Sequence, residues 1–222
     1  MLRYLLVIPS IDIKNGKTVR VVQGIPELDC KEYGSDPVEM ARIWRAENAK
    51  LLHVVDFDGA FEYSKRNIDI INEICTSVII PVEYTGGIRT MDDAKRMLEL
   101  GVSRLAINTM AYENPDEFKK VFEKFGPAKI VISLDVLNNE MIVRGRKKKT
   151  GINYLDYAKK MADIGVERFI VTDVNRNGTM SGPNLELSKK IASETNQKVT
   201  VSGGIRNKDE LMDVQALIPM GI

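Results

Sequence analysis

The amino-acid sequence predicts an α/β fold, a (β/α)8 TIM barrel built from two half-barrel repeats. Three observations predict it. The tetrapeptide Gly-Gly-Ile-Arg occurs twice, at Gly86–Arg89 and at Gly203–Arg206. Short apolar runs alternate with longer helical patterns, which is typical of parallel strands covered by helices. Polar residues collect where these runs end, and in a barrel that edge carries the chemistry.

Other motifs recur in the same order in both halves of the chain. Each half has two strands with a terminal aspartate, followed by a strand that leads into Gly-Gly. We therefore expect half-repeats at about 1–125 and 126–222 within one barrel domain, 1–222. The matching segments are Ile11–Gly16 with Leu134–Asn139, Val19–Gly24 with Ile142–Gly145, and, more loosely, Val54–Gly59 with Val171–Asn175.

Short runs rich in valine and isoleucine predict the strands. Seven such runs are visible. The predicted strands are Tyr4–Asp12, Leu51–Asp56, Val78–Tyr84, Arg104–Asn108, Lys129–Asp135, Arg168–Asp173 and Lys198–Ser202.

Apolar residues at helical spacing, with capping residues at the ends, predict the helices between them. Gly101 and Gly165 stand where helices should end, since glycine adopts the left-handed conformation readily. The predicted helices are Pro37–Asn48, Asn67–Thr76, Met91–Leu100, Pro115–Lys124, Tyr154–Ile164, Leu185–Thr195 and Lys208–Leu217.

The second half is expected to be shorter than the first by one strand–helix unit. The first half continues with the strand Ser103–Thr109, whereas the second ends at Met220–Ile222, where its fourth strand should begin. We therefore expect the eighth unit to be missing from the sequence as given.

The composition excludes several classes of function. With 222 residues, 44% of them hydrophobic, the chain is predicted to form one soluble domain with a substantial core. The 32 basic and 31 acidic residues leave no net field for nucleic acid or membranes. The opening run Tyr4–Ile8 is too short to span a membrane and lacks a cleavage-site pattern, so a cytoplasmic location is expected.

The metal-binding residue types are sparse and poorly spaced. Cys30 and Cys75 lie far apart and are expected to be reduced thiols. His53 is the single histidine and begins an apolar strand, so it is expected to be a packed residue. The sequence therefore predicts no metal site.

Two aspartates are the predicted catalytic residues. Asp12 and Asp135 end the first and fifth predicted strands, which face each other across an eight-stranded barrel. Carboxylates on opposite walls of one mouth suit a general acid and a general base on two sides of a substrate. The alternative is that each caps a loop or pairs with a nearby lysine or arginine.

The two Gly-Gly turns predict two phosphate sites. Each precedes a helix, where backbone N–H groups and the helix dipole attract anions. Two related sites imply a long substrate with a phosphate at each end, although tight turns alone also require glycine. The predicted substrate- and phosphate-binding residues are Arg20, Gly86, Gly87, Arg89, Asn108, Thr109, Thr172, Gly203 and Gly204.

A basic run follows the fifth predicted strand at Arg146–Lys149. A solvated charge run is the favoured interpretation, and screening of an anionic ligand is the alternative.

Taken together, these motifs resemble the phosphoribosylformimino-aminoimidazole carboxamide ribotide isomerase family of histidine biosynthesis. The resemblance covers essentially the whole chain. It is carried by Ile8–Asp12, Val21–Gly24, His53–Asp56, Gly86–Arg89, Ser133–Asp135, Val171–Asp173, Asn177–Thr179, Ser181–Asn184 and Ser202–Ile205.

The resemblance implies an Amadori rearrangement of an aminoaldose to an aminoketose, without cofactor or metal. It further implies that Asp135 is the acid that protonates the furanose ring oxygen and that Asp12 is the base that removes the C2 proton. A barrel that is complete is expected to be a monomer.

Two alternatives stay open. The sister cyclase makes imidazole glycerol phosphate with ammonia from a glutaminase partner, and it shares the repeat and the aspartates. That family typically has Cys and Lys where this chain has Ser10 and Arg20, which favours the isomerase, although Ile107–Thr109 followed by Glu113–Pro115 is more typical of the cyclase. The second alternative is a divergent, non-catalytic barrel.

Three positions depart from the isomerase pattern. Asn177 stands where the family usually has Asp, and Arg146 stands where it commonly has a Trp that stacks on the substrate's imidazole. Thr85 replaces the first glycine of what is usually a triple glycine.

Overall fold

The computed structural model describes residues 4–21, 30–32 and 36–222. It shows an α/β fold in which parallel strands alternate with helices. Residues 22–24 of the repeated motif and the side chain of Cys30 lie outside the described part. The Cys75 thiol is free, and burial raises its pKa to about 11.

The described strands are β1 (Ser10–Lys14), β2 (Lys17–Val21), β3 (Cys30–Glu32), β4 (Leu52–Asp56), β5 (Val82–Thr85), β6 (Arg104–Ile107), β7 (Ile130–Leu137), β8 (Glu140–Val143), β9 (Lys148–Asn153), β10 (Arg168–Asp173) and β11 (Lys198–Ser202). The described helices are α1 (Pro37–Ala46), α2 (Phe57–Glu62), α3 (Ile68–Ser77), α4 (Met91–Glu99), α5 (Thr109–Glu113), α6 (Pro115–Phe125), α7 (Tyr154–Ile164), α8 (Leu185–Thr195) and α9 (Lys208–Gln215), with a short 3-10 turn at Ile218–Met220.

The chain divides into two compact units. The first unit consists of the described parts of Leu6–Arg20 and Asp29–Ile130. Within it β1, β4, β5 and β6 lie side by side in parallel, and β2 pairs antiparallel with β1 to form a hairpin.

The second unit is formed mainly by Val131–Ile222. Its strands β7, β10 and β11 are parallel neighbours. Here too the first strand leads into an antiparallel hairpin, since β8 pairs with β7, and β9 then pairs with β8.

One face of the first unit's sheet is apolar and buried. Side chains alternate between the faces of a strand, so residues in register on neighbouring parallel strands share a face. Ile11, Val54, Tyr84 and Leu105 form such a row, and each is at most 3% exposed. This row is part of the core that fixes the register of the sheet.

The opposite face of the same sheet carries an ion-pair row. His53 Nδ1 lies 2.9 Å from Glu83 Oε1, and Arg104 Nε lies 3.2 Å from Glu83 Oε2. Glu83 is 3% exposed, so both partners offset the cost of burying its charge. His53 is therefore a packed residue, as the sequence predicted.

The predicted strands and helices agree with the structure except at their edges. The first predicted strand begins too early, because Tyr4–Pro9 is not a strand, and so does the third, because Val78–Pro81 is not one. In both cases a proline, which lacks an N–H, stands immediately before the true start: Pro9 before Ser10 and Pro81 before Val82. Helices α2 and α5 and the hairpin strands were not predicted from the sequence.

Candidate active site

Asp12 lies within β1 rather than at its end. The strand runs on to Lys14 and turns into β2, so Asp12 is in register with Val19 on one side and Val55 on the other. Its carboxylate is half-buried, and Ser10 Oγ donates to Asp12 Oδ1 at 2.8 Å. Arg20 follows Val19 on β2 and is also half-buried.

The tip of the β1–β2 hairpin is fixed by buried polar side chains. Asn15 has a φ of 51°, in the left-handed region, and its N–H donates to Asp58 Oδ2 at 2.6 Å. The N–H of Gly16 donates to Asn67 Oδ1 at 3.1 Å. The strand that carries Asp12 is thereby tied to α2 and to the start of α3.

Asn67 joins two carboxylates. It is fully buried, and its Nδ2 donates to Asp56 Oδ1 at 2.7 Å and to Asp58 Oδ2 at 2.8 Å. Asp56 lies on the opposite face of the sheet from Asp12, because it is in register with Ile13. Asp56 ends β4, as its strand was predicted to end, but on the other face from Asp12 because side chains alternate along a strand.

The Asp56 side chain is buried, at 1% exposure. Burial raises its pKa above the ordinary value, although hydrogen bonds from the Gly59 N–H, Asn67 and Tyr84 act in the opposite direction. The Tyr84 hydroxyl has one proton to donate, and the Gly86 carbonyl at 2.6 Å competes for it with Asp56 Oδ2 at 3.2 Å. Burial likewise raises the pKa of Tyr84 well above its usual range.

A pH-dependent difference in stability follows for the substitution Asp56→Asn. Because the folded-state pKa of Asp56 is raised from 3.8, its contribution to stability is present below that value and is lost as the pH rises through the folded pKa. We therefore expect the free energy of unfolding of Asp56→Asn to increase relative to that of wild type as the pH rises through this window, because only the wild type loses stability there. Urea unfolding at pH steps from about 4 upwards measures it.

Asp93→Asn is the control with the opposite sign. Burial acts to raise the pKa of Asp93, but hydrogen bonds from Tyr63, Thr90 and the Arg89 and Thr90 N–H groups outweigh it and lower the pKa. Asp93 therefore contributes stability above pH 3.8 that is lost as the pH falls through its folded pKa. Equal pH profiles for the two variants would contradict this account of Asp56.

The Gly86-Gly87 turn passes very close to the backbone of α2. A Cβ at Gly86 would lie 2.6 Å from the Asp56 carbonyl oxygen, and one at Gly87 would lie 2.6 Å from the Gly59 carbonyl oxygen. Both glycines also have positive φ, 142° and 65°. Close packing therefore accounts for the absence of side chains here, whatever anion the turn binds.

Arg89 is directed towards α2. Its guanidinium lies 4.6 Å from the centre of the Tyr63 ring, in a cation–π contact, and Nη2 is 3.5 Å from the Ala60 carbonyl oxygen. Its backbone N–H donates to Asp93 Oδ2, which also caps α4 together with Thr90. A phosphate contact by the Arg89 side chain remains a prediction.

The residues after β6 start a short helix. Asn108 immediately precedes α5, and Thr109 is its first residue. On the neighbouring strand Thr85 Oγ1 donates to the Ala106 carbonyl at 3.1 Å, so the residue that replaces a family glycine ties β5 to β6.

In the second unit Asp135 is covered by an arginine. Arg146 Nε and Nη2 donate to Asp135 Oδ1 at 3.2 and 3.0 Å, and Arg146 Nη1 donates to Asn177 Oδ1 at 3.1 Å. The side chains of Arg146 and Asp135 are only 14% and 16% exposed. The solvated-run interpretation is therefore wrong for Arg146, although Lys147–Lys149 are exposed as it predicted.

Thr172 lies directly beside Asp135. The two residues are in register on β10 and β7, so their side chains share one face of the sheet. Thr172 is 4% exposed and is in register with Ser202 on its other side. Thr172 is thus placed next to Asp135, while Asp173 points to the other face.

The second Gly-Gly turn repeats the close approach of the first. A Cβ at Gly204 would lie 2.3 Å from the Gly182 carbonyl oxygen, and the Gly182 N–H donates to the Gly204 carbonyl at 2.9 Å. A Cβ at Gly203 would lie 3.4 Å from Asn177 Cα. The turn is therefore packed on the loop that follows β10.

An aspartate–asparagine pair that was not predicted from the sequence recurs in the two units. Asn184 Nδ2 donates to Asp173 Oδ2 at 2.7 Å, as Asn67 does to Asp56, and each asparagine follows its aspartate by 11 residues. The identical spacing was the signal that could have revealed it.

The hairpin tie recurs as well. Asn138 has the same φ as Asn15, 51°, and its Oδ1 accepts from Asn175 Nδ2 at 3.2 Å. Asn175 stands two residues after Asp173, as Asp58 does after Asp56.

Two further observations concern the described residues, 4–21, 30–32 and 36–222. They contain no group of three or more His, Cys, Asp or Glu side chains that could hold a metal ion. None of their helices has the length and apolar character needed to cross a membrane.

Comparison with known proteins gives a consistent result over nearly the whole chain. The model of a family described as "Histidine biosynthesis protein" matches residues 6–222. Three curated relatives share one name, 1-(5-phosphoribosyl)-5-((5-phosphoribosylamino)methylideneamino) imidazole-4-carboxamide isomerase. That of Persephonella marina is 40% identical over 97% of this chain and 89% of the relative. That of Salinibacter ruber is 40% identical over 98% and 84%, and that of a Sulfurihydrogenibium species is 38% identical over 97% and 90%.

Proposed function

Because the chain belongs to the family of histidine biosynthesis proteins, we propose that it is the aldose–ketose isomerase of that pathway, acting on a doubly phosphorylated aminoimidazole carboxamide ribotide. The observation that carries the proposal is about 40% identity to relatives named as this isomerase over 97–98% of the chain. The name of those relatives contains two phosphoribosyl groups, which agrees with a substrate that has a phosphate at each end.

The family resemblance drawn from the sequence is confirmed, and the cyclase is not favoured. Ser10 and Arg20, the two positions that separated isomerase from cyclase in the sequence, point the same way as the relatives' name.

Asp135 is the proposed general acid. It donates a proton to the furanose ring oxygen, the bond between C1 and that oxygen breaks, and the amino nitrogen supplies the electron pair that forms the C1=N imine. Thr172 is proposed to contact the substrate at the same point, and its register beside Asp135 supports this. A proton donor in this role needs a heavy-atom distance of about 2.6–3.2 Å to its acceptor.

Asp12 is the proposed general base. It removes the proton from C2 of the protonated imine, and the C2 electrons form the C1=C2 double bond of the enolamine as the C1=N electrons return to nitrogen. A proton then adds to C1 while the C2 hydroxyl loses its proton, which gives the aminoketose. The hydrogen bonds from the Asn15 and Gly16 N–H groups fix the hairpin that carries this carboxylate. A catalytic group needs such support, because it acts only when it is held in the productive geometry. No cofactor or metal takes part in the proposed reaction.

The phosphate groups are proposed to bind at the Gly86-Gly87 and Gly203-Gly204 turns, each ahead of a helix N-terminus. Arg20, Arg89, Asn108 and Thr109 are proposed as further contacts. The support for the turns is that both units present them in the same way, packed on the loop or helix that follows the preceding strand.

The proposed architecture is a (β/α)8 barrel made of two half-barrels. The recurrence of the aspartate–asparagine pair, the hairpin tie and the packed Gly-Gly turn supports it. A cytoplasmic location and a monomeric state remain predictions.

Genetic complementation tests the pathway step. Expression of the full chain in a bacterium that lacks its own isomerase should restore growth without histidine, because the chain supplies the missing rearrangement. The same expression in a strain that lacks the cyclase subunit should not restore growth. Rescue of the cyclase strain alone would contradict the proposal.

A further inference from the structure

The turn between β8 and β9 places an arginine on the proposed catalytic acid. All three guanidinium nitrogens of Arg146 are engaged, two with Asp135 Oδ1 and one with Asn177 Oδ1. With 14% of its side chain exposed, Arg146 fills the space beside that oxygen rather than extending into solvent.

The backbone of this turn is in a conformation that L-residues rarely adopt. Arg144, Gly145 and Arg146 have φ values of 56°, 60° and 72°, three consecutive residues in the left-handed region. Such a conformation persists where surrounding contacts hold it. The Lys147 N–H closes the turn by donating to the Arg144 carbonyl at 3.2 Å, and the hydrogen bonds to Asp135 and Asn177 hold the Arg146 side chain.

The proposed reaction conflicts with this arrangement. The ring oxygen of the substrate must come within hydrogen-bond distance of the Asp135 carboxyl group, yet two N–H groups of Arg146 cover Oδ1. Arg146 must therefore leave Asp135 or share it with the substrate. A doubly phosphorylated substrate brings oxyanions, and a guanidinium binds them with two parallel hydrogen bonds.

We infer that Arg146 is a substrate-binding residue that exchanges Asp135 for an oxyanion of the bound sugar phosphate. In the ligand-free protein it covers the acid, and in the complex it holds the substrate and leaves the carboxyl group accessible. This inference rests on the proposed isomerase function. Asn177 is the neutral partner of Arg146. Its amide oxygen forms a weaker hydrogen bond to a guanidinium than a carboxylate does, so Arg146 can exchange Asp135 for the substrate.

The substitutions Arg146→Met and Arg146→Lys test the inference in steady-state assays of the full chain. Arg146→Met should lower kcat/KM at least about tenfold, mainly through KM, because a charge-assisted hydrogen bond to the substrate is lost. Arg146→Lys keeps the charge without the planar fork and should recover part of the loss. Lys149→Gln removes an exposed charge from the same hairpin and is the matched control, expected within about twofold of wild type.

Two readouts separate substrate binding from a purely structural ion pair. The KM of wild type and Lys149→Gln should rise with salt more steeply than the KM of Arg146→Met, which lacks the contact with the phosphate. Asn177→Asp places a carboxylate about 3 Å from Arg146 Nη1, so it should raise KM in wild type but not in the Arg146→Met background.

A loss of kcat/KM smaller than about tenfold in Arg146→Met would overturn the inference while the isomerase function stands. So would an effect of Asn177→Asp that is the same in both backgrounds. Absence of turnover in wild type would overturn the proposed function itself, and the inference with it.

Discussion

The substitutions Asp12→Asn and Asp135→Asn should each lower kcat for isomerisation by ~10²–10⁴, the usual contribution of a general acid or base. Asparagine has nearly the same volume as aspartate, so the fold should be retained while the proton-transfer group is lost. Steady-state assays with the purified chain measure the effect. If the unfolding curves are unchanged, the loss of kcat comes from the missing proton-transfer group and not from unfolding of the protein.

Asp173→Asn is the matched control for this pair. Asp173 follows Thr172 on β10 and points to the other face, where it pairs with Asn184. We expect it to alter stability more than kcat. A loss below about tenfold in Asp12→Asn or in Asp135→Asn would remove that residue from the mechanism.

Gly204→Ala and Gly87→Ala should destabilise the protein by about 2–5 kcal/mol each. The new Cβ would lie 2.3 Å from the Gly182 carbonyl oxygen in the first case and 2.6 Å from the Gly59 carbonyl oxygen in the second. The left-handed backbone at φ 86° and 65° adds to the cost, since an L-residue is strained there. Urea unfolding at neutral pH measures both.

Gly126→Ala separates the cost of the close backbone approach from the cost of positive φ. Gly126 also has positive φ, 75°, with ψ 172°, a conformation essentially restricted to glycine, but a Cβ there would meet no atom within 4 Å. The variant should therefore lose only the cost of backbone strain, roughly 1–3 kcal/mol. Equal losses at Gly204 and Gly126 would show that the close backbone approach contributes nothing.

The sequence predicted those elements best whose limits are set by local chemistry. The helices α7 and α8 and the strands β10 and β11 have the predicted bounds, and Gly165 ends α7 in the left-handed conformation as expected. Helix α2 was missed, because it spans six residues and contains Gly59, too short a segment for a helical period to appear.

The hairpins account for the larger differences in the site. Asp12 and Asp135 were expected to end their strands, whereas each strand continues for two residues into an antiparallel turn. The turn residues Asn15 and Asn138 are polar, and polar residues after an apolar run are equally typical of a loop.

The contacts of Arg146 could not be predicted from the sequence for a different reason. In sequence it opens the run Arg146–Lys149, and a charge run is usually solvated. Its burial depends on Asp135 and Asn177, which lie 11 and 31 residues away along the chain and meet it only in the folded unit.

The central claim is that this chain carries out the isomerisation with its own carboxylates and no added group. The most direct measurement follows conversion of the aminoaldose by nuclear magnetic resonance, with the purified full chain in buffer containing EDTA and no cofactor. We expect the aminoketose to appear at a kcat of the order of 1–10³ s⁻¹, the typical range for enzymes, and to be unaffected by EDTA. No conversion, or conversion that requires an added metal or cofactor, would contradict the account.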